Sequence, residues 1–120
     1  MSFKQPNLLT SKKAGADLTG KLHSAVKLDG NGDVVLAGLG EGIGILMSEN
    51  TSGFFVEVAF SGGGSLGIAS GAITAGDEVS SNANGEMKIS ASGEMVLGIA
   101  EVSAVANDHF GIINTFYQKN

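Results

Sequence analysis

From Leu22 onward, apolar and polar residues alternate in short runs separated by turn formers. A period of two places successive side chains on opposite faces of a strand. Residues 54–60 are the clearest case: Phe54, Val56, Val58 and Phe60 share one face, and Phe55, Glu57 and Ala59 share the other. Runs at 24–28, 33–37, 42–47 and 109–117 read the same way. Asp29-Gly30-Asn31-Gly32, residues 38–42 and residues 48–53 supply the turns, because Gly and Asn tolerate positive φ. Residues 61–67 (SGGGSLG) read as a flexible connection. No window of 11–18 residues carries a capped helical period, and the best helix candidate is short, around 102–108. Strands at this spacing predict an all-β fold, a small barrel or sandwich.

The pattern occurs twice. Residues 26–45 (VKLDGNGDVVLAGLGEGIGI) match residues 79–99 (VSSNANGEMKISASGEMVLGI). Val26 aligns with Val79, Asn31-Gly32 with Asn84-Gly85, Asp33 with Glu86, Leu36 with Ile89, and Gly40-Glu41 with Gly93-Glu94. After one inserted residue, Ile43-Gly44-Ile45 aligns with Leu97-Gly98-Ile99. The matched positions are turn formers, core apolars and acids, which encode a fold twice and predict an internal pseudo-two-fold repeat.

The first 20 residues lack this alternation and read as an extended N-terminal arm ahead of a single β domain over 21–120. Phe3, Lys4, Pro6, Leu8, Leu9, Lys12 and Lys13 are its candidate partner-binding residues. The arm is basic. Residues 1–21 hold four Lys against Asp17, net +3, and residues 22–120 hold three Lys against eleven acids, net −8. A basic arm on an acidic body suits an acidic neighbouring surface. The aromatic C-terminal run contributes Phe116 and Tyr117 as further candidates.

Cysteine and arginine are both absent. No disulfide, thiolate metal site or Cys nucleophile is available, and bidentate phosphate or guanine recognition lacks its usual residue. With a net charge of −5, nucleic-acid binding is not expected. The apolar runs fall well short of the roughly 20 residues of a membrane-spanning helix, so no membrane partner is expected.

Motifs with chemical meaning are few. Asp29-x-Asn31-x-Asp33 opens like a calcium loop, but Val34 stands at position six and Gly40 at position twelve, where a Gly turn and a bidentate Glu are needed. Gly62-x-Gly64-x-x-Gly67 matches a dinucleotide fingerprint in letters, with no helix to follow it. His23 and His109 are the only imidazoles, lie far apart in sequence and make a poor zinc set. No nucleophile elbow exists, so no catalytic residue, metal or cofactor is expected and the chain does not read as an enzyme. Lys88, after Met87, resembles the modified lysine of biotinyl/lipoyl-type carrier domains, although the matching residue in the first copy is Val35.

The runs GADLTGKLHSAVKLDGNGDVVLAGLGEGIGIL and GAITAGDEVSSNANGEMKISASGEMVLGIAEVSA resemble the two halves of tailed-phage capsid cement (head decoration) proteins, over about residues 15–113. The resemblance implies a virion structural protein of the outer capsid surface, made in the host cytoplasm. It implies the major capsid protein as partner and self-association, often as a homotrimer, with capsid stabilisation as the result. A carrier domain modified at Lys88 is the alternative reading.

Overall fold

A computed structural model describes residues 9–60 and 64–120. They form ten strands: β1 (Leu9–Lys13), β2 (Ala25–Leu28), β3 (Val34–Leu36), β4 (Gly44–Leu46), β5 (Phe55–Ala59), β6 (Gly64–Ile68), β7 (Glu78–Ser81), β8 (Met87–Ile89), β9 (Met95–Ala100) and β10 (His109–Gln118). Among the described residues there is no helix. Two five-stranded antiparallel sheets, ordered β1-β5-β4-β2-β3 and β6-β10-β9-β7-β8, pack as a sandwich.

The two strand orders correspond position for position. Val26 faces Leu36 across β2–β3, and Val79 faces Ile89 across β7–β8. Val26 also faces Gly44 on β4, and Val79 faces Gly98 on β9. In each half a single parallel bridge ties the segment after the first strand to the third strand: Ala14 to Val34, and Ala69 to Met87.

The turns repeat as well. The Asp29 carboxylate accepts the Asn31 and Asp33 amides at 2.8 and 3.0 Å. The Asn82 side-chain oxygen accepts those of Asn84 and Glu86 at 2.8 and 2.9 Å. Such bonds satisfy turn amides locally and set the hairpin. The Asp29 carboxylate that opens the calcium-like motif is thus committed to turn geometry.

Each half has its own core. Ala14, Leu18, Val26, Val34, Leu46, Val56 and Val58 form one buried cluster. Ala69, Ile73, Val79, Met87, Ala100, Phe110 and Ile112 occupy the corresponding places in the other. The second cluster also takes in Ala25, Ala37 and Ile45 from the first half, which joins the halves. Backbone bonds across the junction run from Ala25 N to Gly85 O (2.6 Å) and from Gly40 N to Ser81 O (2.8 Å). A fully buried Val, Leu or Ile contributes about 1.5–3 kcal/mol before the entropy of ordering.

Three segments differ from the sequence expectation. Residues 9–13 form β1, paired with β5 throughout, and Ala14 and Leu18 are core, so residues 9–20 belong to the β domain and not to a free arm. Of residues 61–67, expected as flexible connection, 61–63 lie outside the described residues and 64–67 belong to β6, paired with β10. Residues 102–108 carry no helix; Ala104 bridges Ile73, and the Asp108 carboxylate accepts the Val105 amide.

Candidate functional site

Of the predicted partner residues, Phe3, Lys4, Pro6 and Leu8 lie outside the described residues. Leu9 begins β1, opposite Ala59. Lys12 and Lys13 sit further along β1, opposite Val56 and Phe55. The register brings Lys13 beside an aromatic pair that alternation alone had assigned to strand faces. Phe54 and Phe55 are 60% and 63% exposed. The Phe54 carbonyl accepts the Ala14 amide at 2.8 Å, which fixes the pair at the end of the β1–β5 ladder. Lys13 lies 3.9 Å from the Asp33 carboxylate, a loose contact that leaves its side chain half exposed. Basic and aromatic side chains therefore share one end of the first sheet.

Phe116 and Tyr117 lie near the end of β10, in the other sheet, and both are exposed. The chain end around them is anchored. Tyr117 donates its hydroxyl to Glu78, and the Lys119 ammonium pairs with the same carboxylate. Gln118 donates to Gly93 O at 3.1 Å, and the Gly93 amide donates to Lys119 O at 2.7 Å. Phe116 is the more available of the two for a partner, because the Tyr117 hydroxyl is already engaged.

Lys88 lies on β8 with its ammonium 2.6 Å from the Glu94 carboxylate and 3.0 Å from the Ile89 carbonyl. Burial would raise the Glu94 carboxyl; the Lys88 and Ala91 hydrogen bonds and the Lys88 charge outweigh it and hold it below the usual carboxylate range. The first half has the same arrangement by another route. There Lys27 of β2 reaches Glu41 at 2.8 Å, and Glu41 also accepts the Gly38 amide. Lys27 faces Val35, while Lys88 faces Ser80, so the lysine has changed strands within one cross-strand pair. Holding the turn glutamate accounts for Lys88 without any modification chemistry.

The two histidines, 86 residues apart, meet. Their Nδ1 atoms are 2.8 Å apart, the ring centroids 5.0 Å apart, and the rings nearly perpendicular at 73°. Beside them opens a cleft of about 550 Å3 lined by Gly20, Lys21, Glu49, Asn84, Glu86 and His109, among others. Burial lowers the His23 pKa first and the neighbouring His109 second, with Glu49 opposing them. Sequence reading had kept these residues apart. The signal it missed is the alignment of the copies, which sets His23 against Gly76, a turn position where glycine is the expected residue.

Among the described residues, no group of three His, Asp or Glu side chains is placed to hold a metal ion. The chain matches no protein-family model and no curated protein.

Proposed function

We propose that this chain is a structural protein of a phage head, which binds the outer capsid surface and clamps neighbouring major capsid subunits. The observation that carries the reading is the end of the β1–β5 ladder, where Phe54 and Phe55 stand in solvent beside Lys13. Aromatic anchors next to cations suit a partly acidic protein surface, since buried aromatics supply most of the energy at such contacts. Support also comes from the likeness of residues 15–113 to capsid cement proteins. A rigid β scaffold with its turns locked by Asp29 and Asn82 holds such a patch in place at little entropic cost on binding. Binding to the assembled head stabilises the occupied state by mass action, and a trimeric clamp multiplies weak contacts through effective concentration.

The test is co-sedimentation of the purified protein with expanded heads of the phage that encodes it, with light scattering to give its oligomeric state. The wild-type chain is expected to sediment with heads and raise their resistance to heat. Replacing Phe54 and Phe55 together by Ser is expected to weaken binding about tenfold or more while leaving the fold intact. Absence of binding by the folded wild-type protein would refute the reading.

A further inference from the structure

The geometry points to the His23–His109 contact as a proton-operated latch between the two sheets, closed while the pair carries at most one added proton and open once both imidazoles are charged. The pairing is a hydrogen bond and not half of a metal chelate. The centroid separation of 5.0 Å is close to the 2.8 Å nitrogen separation plus one ring radius on each side, so the two nitrogens face each other nearly head-on. One Nδ1 must therefore donate and the other accept. Metal ligands instead aim their lone pairs at a common point set apart from both.

A head-on pair already holds one proton between its nitrogens, and a first added proton goes to the outer Nε2 of the donor ring, which leaves that bond in place. A second makes both groups donors and sets two like charges at contact distance, so the protons enter as coupled steps. The surrounding charges do not remove the conflict. Glu49, after β4, attracts the His23 cation but also accepts the Gly20 amide at 2.7 Å. Lys21, two residues before His23, adds positive charge. Glu86 of the β7–β8 hairpin lines the cleft, and Asp108 beside His109 is committed to the Val105 amide.

His23 also holds a backbone conformation for which the other half uses glycine. His23 has φ of 71°, whereas its counterpart Gly76 has φ of 93°. A left-handed conformation is disfavoured for a residue with a Cβ, and it persists where surrounding contacts enforce it. His23 N donates to Leu46 O at 2.8 Å, as Gly76 N does to Ala100 O, so the turn keeps its place in the fold. His109 is fixed opposite Ile68 in the β6–β10 ladder. Double protonation thus drives the two imidazoles apart and reshapes the mouth of the cleft, while the anchored Lys21–Ser24 backbone and both sheets stay in place.

Imidazole and backbone-amide NMR titrations of the whole chain, between pH 8 and about 4.5, test this over the range in which histidine changes charge. His23→Gly copies the residue found at 76, and His109→Gln changes an exposed strand end. In the wild type, the amides of residues 20–24 are expected to shift together with the His23 protonation step. In His109→Gln, the His23 step is expected to move upward, toward the free-histidine value. In His23→Gly, the low-pH step in those amides is expected to vanish. A His23 midpoint unchanged by His109→Gln overturns the proposal, and so do amides at 20–24 that ignore His23 protonation in the wild type. Should His23→Gly fail to fold, the wild-type and His109→Gln titrations decide alone.

Discussion

Gly98 has a role that no hydropathy pattern states. On β9, it lies against β10 so closely that an added Cβ would overlap the Ile112 side chain and the Ile113 carbonyl. Gly44, its counterpart on β4, meets Val58 and the Ala59 carbonyl in the same way. A carbonyl in a ladder cannot swing aside as a side-chain tip can. Gly98→Ala is therefore expected to lower stability by about 3 kcal/mol, read as a fall in the urea midpoint at constant slope. Gly76→Ala meets no atom and carries only the φ penalty, so its loss should be smaller. The repeat aligned Gly44 with Gly98 but gave no reason for either; the reason is a distance between strands, which a sequence does not contain. The His23–His109 contact was hidden for the same reason, because it depends on two segments 86 residues apart meeting in space.

Strands with a buried, alternating face were legible in the sequence, and β5 is the best example: Val56 and Val58 are buried where alternation placed them. β1 and β6 were not legible. LTSKK is mostly polar and GSLGI mostly small, and both lie at the outer margin of a sheet, where pairing comes from β5 and β10 and not from local preference. Once the halves are superposed in register, a further pattern appears in the core. Across β4–β5 Leu46 faces Val58, and across β9–β10 Ala100 faces Ile112. The smaller Ala100 is accompanied by Phe110, where the first half has Val56. The two cores fill similar space with different partners. Phe110→Val alone is expected to leave a cavity costing about 2 kcal/mol. Adding Ala100→Leu should recover much of that loss, because it rebuilds the first half's combination. A double variant no more stable than the single one would show that the two cores are shaped differently. Equilibrium denaturation of the three proteins makes the comparison.

Acid acts on the molecule as a whole through groups that hold its parts together. The His23 pKa is lowered from 6.5 in the fold, chiefly by burial, so the unfolded chain binds that proton more readily. Its contribution to stability is complete above pH 6.5 and is lost as pH falls through the folded value. The Glu94 pKa is lowered from 4.5: burial opposes this, and the Lys88 and Ala91 bonds together with the Lys88 charge prevail. Its contribution is present above pH 4.5 and is lost below it as the carboxylate takes up its proton. Urea midpoints are thus expected to hold steady above neutrality and to fall in two stages, one below pH 6.5 and one below pH 4.5. Lys88→Met should weaken the lower stage and leave the upper one in place. A profile that stays flat from pH 7.5 to 4 would contradict both assignments.

The bridges from Ala14 to Val34 and from Ala69 to Met87 bear on how such a chain behaves when crowded. Unpaired ladder groups at the margin of a sheet can recruit a strand from another molecule and seed fibrils. Here the Gly15 amide donates to Val34 O at 2.8 Å, and the Ser70 amide donates to Met87 O at 2.9 Å. Each sheet thereby turns part of its outer margin back on itself, consuming groups that a foreign strand would need.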